Sequence, residues 1–164
     1  MLLSIALLLA CGLSICFAAV AFFGAPFLPT LRPQVVRALD LLDLQPGDVL
    51  LELGCGDGRV LIAAAQRGLR GVGYELNPIM AAIAWVRTWP YRGQVRIVWG
   101  DFWHCRWPEA AGIFSFILPR YMSKLHKKVM QYPYRPLRIA SFAFSIPEKS
   151  PTRVEQGVYL YEYK

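Results

Sequence analysis

The N-terminal part of the chain lacks charge, because none of residues 1–31 has a charged side chain. The apolar stretch from Met1 to Phe23 is long enough as a helix, at about 1.5 Å per residue, to cross a hydrocarbon core of roughly 30 Å. A cleaved secretory signal is the alternative, since Ala19-Val20-Ala21 has the small-x-small form of a cleavage site. No basic residue precedes the stretch, however, and it exceeds the usual length of a signal's apolar region. We therefore expect residues 1–25 to be a transmembrane anchor.

The first charged side chains after this stretch are basic, Arg32 and Arg37. Basic residues beside a membrane span favour the cytoplasmic side. We therefore expect a single-pass membrane protein whose folded domain lies in the cytoplasm.

Cysteine and histidine are scarce, with four and two residues, and none has the spacing of metal ligands. Cys11 and Cys16 lie in the apolar stretch, whereas Cys55 and Cys105 are far apart in the sequence. His104-Cys105 is more typical of a loop than of a ligand pair. The sequence predicts no metal site and no disulfide framework, which is consistent with a reducing compartment.

A glycine-rich turn is present but lacks one glycine of a dinucleotide fingerprint. The apolar run Val49 to Leu53 leads into glycines 54, 56 and 58, and a helix-like segment, VLIAAAQRG, follows. This order predicts a buried parallel strand, a tight turn and a helix that packs back on the sheet. Arg59 stands where the third glycine of the NAD-binding motif would be. A site for NAD is therefore disfavoured.

Acidic residues lie at the ends of three predicted strands. Glu52 and Asp57 flank or occupy the glycine turn, where they would repel a pyrophosphate but could accept hydrogen bonds from a cationic or amine-bearing ligand. Glu75 ends the second strand, GVGYELN, and suits a carboxylate that accepts from both hydroxyls of a ribose. Asp101 ends the third, VRIVWGDF, and could accept from an adenine amino group. Together they predict a nucleoside-type ligand at this edge of the sheet.

These motifs resemble those of class I S-adenosylmethionine-dependent methyltransferases. ELGCGDG resembles their glycine motif, Glu75 their ribose-binding acid, and Asp101-Phe102 their adenine-binding pair. PFLPT (Pro26 to Thr30), GDGRVLIAAA and GYELNP resemble more closely the small membrane-anchored protein-lysine methyltransferases that include the enzymes modifying the ATP synthase c-subunit and the adenine nucleotide translocase. The resemblance covers residues 26–164.

The resemblance implies S-adenosyl-L-methionine as the cofactor and a lysine of a membrane protein as the methyl acceptor. It also implies that the Thr30 hydroxyl lines the cofactor pocket. The predicted cofactor-binding residues are Thr30, Glu52, Gly54, Cys55, Gly56, Asp57, Gly58, Glu75, Leu76, Asn77, Asp101 and Phe102.

The predicted fold is a three-layer α/β/α Rossmann-like class I methyltransferase domain over residues 26–164, preceded by one N-terminal transmembrane helix. Its sheet should be mostly parallel, with an antiparallel C-terminal hairpin that turns near Gln156-Gly157. The domain is short for this class, so we expect minimal loops and no separate substrate domain.

The predicted fourth strand, residues 111–119, lacks the acidic residue that many class I enzymes have early in it, and has Gly112 there. Methyl transfer needs chiefly a deprotonated amine held in line with the sulfonium. Phe116 or Tyr121 could hold the cationic amine by cation–π attraction before it loses its proton. We predict Phe116, Pro119 and Tyr121 as catalytic residues, with simple core packing as the alternative for Phe116.

Residues 119–138 carry six basic side chains and no acidic one. They could form the solvated face of a helix, which the helix dipole favours near its C-terminus. Alternatively, the basic residues 120–138 could contact anionic lipid, at about 1 kcal/mol per basic residue. The net charge of +7 would also suit nucleic acid, but no motif supports such a partner, so none is expected.

The predicted function is that of a membrane-anchored S-adenosylmethionine-dependent methyltransferase acting on a lysine of a membrane protein. One alternative is a methyltransferase for a lipid or small apolar molecule. Another is a non-catalytic, S-adenosylmethionine-binding membrane scaffold, suggested by the short chain and by Gly112. The intact acids and glycines of the predicted pocket argue against the scaffold.

Overall fold

The computed structural model describes residues 28–164 together with residues 4, 5, 7, 11 and 12. The helices are α1 (Arg32–Leu42), α2 (Arg59–Gln66), α3 (Pro78–Thr88) and α4 (Met122–Met130), and short 3-10 turns occur at Trp89–Tyr91 and Pro119–Tyr121. The strands are β1 (Val49–Leu53), β2 (Arg70–Glu75), β3 (Val95–Trp99), β4 (Gly112–Ser115), β5 (Leu137–Phe142), β6 (Arg153–Glu155) and β7 (Val158–Tyr163).

The seven strands form one sheet in the order β3-β2-β1-β4-β5-β7-β6. Strands β1 to β5 run parallel, whereas β7 is antiparallel to both of its neighbours. The last two strands are joined at Gln156 and Gly157, whose φ angles are +50° and +77°. The predicted parallel sheet with a terminal antiparallel hairpin is therefore confirmed. Because β1 to β4 are parallel, their carboxyl ends meet at one edge, which we call the catalytic edge after the catalytic residues predicted near it.

Helices cover the two faces of the sheet unequally. On one face, α1 and α2 pack with apolar side chains of the central strands, and α2 packs with α3 beside β3. On the other face, α4 is the one helix among residues 28–164 that packs on the sheet, and the loop after β3 covers the remainder. The expected three layers are present, with one of them reduced to a single helix and loops.

Two glycines in β2 let α2 lie unusually close to the sheet. A Cβ on Gly73 would lie 2.5 Å from Leu61 Cδ1 and 2.8 Å from Cys55 Sγ, and a Cβ on Gly71 would lie 2.9 Å from Leu61 Cδ2. The side chain of Leu61 thus fills the space that side chains on β2 would need. This contact holds the N-terminal part of α2 against β2.

Strand β4 is shorter than the sequence predicts, and a left-handed residue follows β5. Strand β4 ends at Ser115, and the Pro119–Tyr121 turn follows soon after it. Strand β5 ends at Phe142, because Ala143 adopts a left-handed conformation with φ +68° that interrupts an extended chain.

Gly112 lies at the amino end of β4, away from the catalytic edge. A Cβ there would lie 2.8 Å from Leu44 Cδ1, so the position is occupied by packing. The absence of an acid at this position therefore has a packing explanation and says nothing about catalysis.

The structure contradicts the predicted localisation as a single-pass membrane protein with a cytoplasmic domain. The longest described helices, α1 and α3, have 11 residues each. Such helices extend about 16 Å, whereas a hydrocarbon core is roughly 30 Å thick. No helix in the described part of the chain is long and apolar enough to cross a membrane. The anchor predicted at residues 1–25 and its boundary with the folded domain fall mostly outside the described residues.

The close contact between Gly73 and Leu61 predicts that a side chain at position 73 destabilises the fold. Gly73→Ala should lower the free energy of unfolding by about 1–3 kcal/mol, because the added methyl group overlaps Leu61 and Cys55. Urea unfolding followed by circular dichroism measures the change. Gly93→Ala is the matched control, since a Cβ there meets nothing within 4 Å. Equal effects of the two substitutions would contradict the close approach of α2.

Candidate active site

The turn after β1 needs glycine at three positions. Gly54, Gly56 and Gly58 have φ angles of +81°, +53° and +78°, which side chains with a Cβ rarely adopt. A Cβ on Gly58 would also lie 3.0 Å from Thr88 Cγ2 of α3, so the turn is packed from one side. A Cβ on Gly54 would meet nothing within 4 Å. Helix α3 therefore packs against the turn at Gly58, whereas Gly54 borders open space.

Four backbone amides of this turn are already used inside the protein. The acceptors are Tyr74 O for the amides of Gly54 and Cys55 (both 2.9 Å), Glu75 Oε2 for Gly56 (2.8 Å) and Cys55 O for Gly58 (2.8 Å). A phosphate-binding loop instead directs free amides at its ligand. In this turn four amides bond to acceptors within the protein instead, which agrees with the argument against a dinucleotide.

Asp57 joins three segments through two arginines. Its carboxylate accepts from Arg59 Nε at 2.9 Å and from Arg59 Nη2 at 2.7 Å, and it also pairs with Arg87 of α3. Arg59 Nη1 in turn donates to Thr30 O at 3.2 Å. Burial alone would raise the pKa of Asp57, but the hydrogen bonds and charge of Arg59 and the charge of Arg87 lower it below its ordinary value. Asp57 thus keeps its charge and holds the turn in place.

Glu52 is buried, with 4% of its surface exposed, and its Oε2 has no hydrogen-bond partner among the described residues. Burial, together with the charges of Asp57 and Glu75, raises the pKa of Glu52 well above its ordinary value. Ser115, which lies in register beside Leu53 at the end of the neighbouring strand, also has a buried Oγ without a described partner. Unsatisfied buried polar atoms are costly, so a ligand that donates hydrogen bonds or carries positive charge would stabilise this site.

Glu75 lies half-buried at the end of β2, with one backbone donor on each carboxylate oxygen. Gly56 N donates to Oε2 and Asn77 N donates to Oε1, both at 2.8 Å. Each carboxylate oxygen has two lone pairs, so both can accept one further donor. Asn77 itself caps α3, because its Oδ1 accepts from Ile79 N at 2.9 Å and Met80 N at 3.3 Å. Glu75 could therefore accept from both hydroxyls of a diol, whereas Asn77 caps and positions α3.

Asp101 and Phe102 follow β3 at the same edge. Asp101 Oδ1 accepts from Trp103 N, and Oδ2 lies by His104 Nδ1, both at 2.8 Å. The Phe102 ring packs 4.6 Å from the Trp103 ring. Leu76, after β2, is exposed at this edge. The predicted ribose and adenine residues are thus brought to one edge of the sheet with the glycine turn.

The predicted catalytic residues do not form one group. The Phe116 ring lies 4.7 Å from the Phe142 ring and packs with the cluster under α1. Pro119 is exposed in the turn before α4, and the Tyr121 ring lies 5.9 Å from the Trp103 ring on the other face of the sheet. The contacts of Phe116 match the core-packing alternative, whereas Tyr121 belongs to an aromatic group at the catalytic edge.

Two residues at the site, Arg87 and Trp103, were not among those predicted from the sequence. Arg87 lies 30 positions after Asp57, and no local pattern links them, because only the packing of α3 brings the two together. Trp103 directly follows Asp101-Phe102, so its position next to the predicted adenine-binding pair could have identified it as a site residue.

Comparison with known proteins gives consistent matches. The family model described as the ANTKMT methyltransferase domain matches residues 52–153. The human lysine N-methyltransferase of the ATP synthase c-subunit is 30% identical over 131 residues, which cover 79% of this chain and 56% of that protein. A protein-lysine N-methyltransferase of Saccharolobus islandicus is 32% identical over 148 residues, which cover 83% of this chain and 92% of that protein. The chain thus spans little more than half the length of the vertebrate lysine N-methyltransferases that it matches.

A solved structure agrees over most of the chain. The RNA methyltransferase from Salinibacter ruber, in complex with S-adenosyl-L-homocysteine, superposes with a TM-score of 0.78 and 31% sequence identity. The match covers 82% of this chain and 93% of that one.

The raised pKa of Glu52 predicts a pH dependence. A carboxyl whose pKa is higher in the folded state favours folding most below its unfolded pKa, about 4.3, and this contribution is lost as the pH rises through the folded pKa. Glutamine remains neutral, so the stability of Glu52→Gln relative to the wild type should increase from pH 4 to pH 8. Urea unfolding without ligand over this pH range measures the difference in stability between the variant and the wild type.

Glu109→Gln provides the matched control, since Glu109 is exposed and should show the pH dependence of the wild type. Parallel curves for Glu52→Gln and the wild type would contradict a raised pKa at Glu52.

Proposed function

We propose that this chain, which belongs to the ANTKMT methyltransferase domain family, transfers a methyl group from S-adenosyl-L-methionine to a lysine side chain of a protein. Family membership confirms the resemblance to class I methyltransferases that the motifs indicated. The observation that carries the proposal is the buried Oε2 of Glu52, which has no hydrogen-bond partner among the described residues, beside a glycine turn in which four backbone amides are bonded within the protein. Such a site favours a ligand with positive charge over a phosphate.

The residues at the catalytic edge fit S-adenosyl-L-methionine. When bound, this cofactor supplies an electrophilic methyl group on a positively charged sulfur. Glu52 would accept from its ammonium group, Glu75 from its ribose hydroxyls and Asp101 from its adenine amino group. A cation beside Glu52 would also lower the pKa of Glu52 and keep its carboxylate ionised.

The names of the relatives support lysine as the acceptor. They describe lysine N-methyltransferases, and the human relative is named for the ATP synthase c-subunit, so we propose a lysine of a membrane protein. Tyr121 and Pro119 lie in the turn between β4 and α4 and would contact the acceptor. An acceptor lysine must lose its proton before transfer, because only the neutral amine has a free electron pair.

The contact with anionic lipid that we predicted for residues 120–138 has less support. Five of the six basic side chains contact partners within the chain: Arg120 the Tyr121 ring, Lys124 the Trp103 ring, Lys128 two carbonyls, Arg135 the Val129 carbonyl and Arg138 the Leu42 carbonyl. Groups used in this way are less available to lipid phosphates.

The proposed reaction is tested by offering methyl-labelled S-adenosyl-L-methionine to the purified protein with unmodified host extract and membranes. We expect the label in precipitated protein, released by acid hydrolysis as methylated lysine.

Each other distribution of label would contradict the proposal in its own way. Label in the organic phase would indicate a lipid acceptor. Label released by ribonuclease would indicate RNA, the acceptor for which the Salinibacter ruber methyltransferase is named. No label, from protein that binds the cofactor in calorimetry, would support the non-catalytic alternative.

The role assigned to Glu75 has a separate test. Glu75→Ala should weaken cofactor binding by about 1.5–3 kcal/mol, or roughly 10- to 150-fold in Kd, because charge-assisted hydrogen bonds to the ribose are lost. Isothermal titration calorimetry measures the change, and Glu109→Ala, an exposed carboxylate outside the site, is the control. An unchanged Kd for Glu75→Ala would mean that the ribose binds elsewhere.

A further inference from the structure

The Trp103 ring is held firmly at the catalytic edge. Its backbone N–H donates to Asp101 Oδ1 at 2.8 Å, and its carbonyl accepts from Lys128 Nζ at 2.8 Å. The ring itself lies 4.6 Å from the Phe102 ring and 5.9 Å from the Tyr121 ring. Trp103 therefore joins the loop after β3 to the turn before α4.

Two cations of the chain lie on this aromatic group. Lys124 Nζ is 4.4 Å from the centroid of the Trp103 ring, and Arg120 Cζ is 4.8 Å from that of Tyr121. Within the described residues, neither Lys124 nor Arg120 pairs with a carboxylate. A cation within about 6 Å of an aromatic face is attracted by the ring itself. The two rings therefore hold these cations by the attraction of the ring faces, with no ion pair to a carboxylate among the described residues.

The position of these rings suits a methyl acceptor. Asp101, which fixes the backbone of Trp103, follows β3, and Tyr121 follows β4, so both rings lie near the edge at which parallel strands present their ligand. Lys124 lies one helical turn after Tyr121, and its side chain is exposed. Its ammonium group can therefore exchange with another cation without disturbing the core.

We propose that Trp103 and Tyr121 form the binding surface for the ammonium group of the acceptor lysine, and that Lys124 occupies the Trp103 face until an acceptor displaces it. The inference rests on the proposed function, because it assigns the acceptor subsite of that reaction. Lys124 then acts as an internal competitor that weakens acceptor binding. No bond is made or broken in this exchange.

Removal of the competitor should strengthen binding of a lysine probe. The probe is N-acetyl-lysine N-methylamide, titrated into the full chain with S-adenosyl-L-homocysteine and followed by NMR through the indole Nε1–H signal of Trp103. Trp103→Phe assigns this signal by its loss. We expect the probe to shift the signal and to bind Lys124→Gln about two- to fivefold more tightly than the wild type.

Lys127→Gln is the matched control, because Lys127 is an exposed lysine of the same helix for which no ring contact is found within the described residues. This variant should bind the probe as the wild type does. Unchanged or weaker binding by Lys124→Gln, or a Trp103 signal that the probe does not shift, would overturn the inference.

The measurement needs no methyl transfer, so it is separate from the test of the proposed function. Methylated lysine from the labelling experiment without probe binding at Trp103 would refute this subsite alone. Probe binding at Trp103 without methylated lysine would refute the proposed reaction and leave a lysine-binding surface.

Discussion

The buried carboxylate of Asp57 and its two arginine partners are the interaction on which the site depends. Arg59 links Asp57 to the carbonyl of Thr30, and Arg87 links it to α3, so one carboxylate ties together segments that are far apart in the sequence. Removing one partner of a buried pair leaves the other charge uncompensated. This arrangement holds the glycine turn against α3 and against the segment at Thr30.

The polar groups available at the turn favour a ligand by its charge. A glycine turn between a strand and a helix is shared with phosphate-binding sites, which use free backbone amides. Here the amides of Gly54, Cys55, Gly56 and Gly58 are bonded within the protein. A buried acceptor, Glu52 Oε2, has no partner among the described residues. The same backbone motif therefore suits a cationic ligand, because a buried carboxylate oxygen is available where most of the amides are not.

The small size of the domain affects the two sides of the site differently. The face that carries the glycine turn keeps α1, α2 and α3, which pack on the central strands and beside β3. The other face relies on α4 and on the loop after β3, and there the aromatic side chains of Trp103 and Tyr121 take part in the packing. Aromatic side chains bury large areas, so a few of them can replace a helix as cover for the sheet while still presenting a ring face to a cation.

The sequence by itself determined the parallel sheet, the glycine turn, the terminal hairpin and the placement of Glu52, Glu75 and Asp101 at one edge. These features are local, because apolar runs, glycines and strand ends are read within a few residues and parallel strands share an edge. Only the tertiary structure decided that Asp57 pairs with Arg87, that Phe116 packs in the core, and that Trp103 meets Lys124 and Tyr121. The chain has 18 lysines and arginines, and which of them meets a given acid or ring depends on how distant helices pack, which local patterns do not encode.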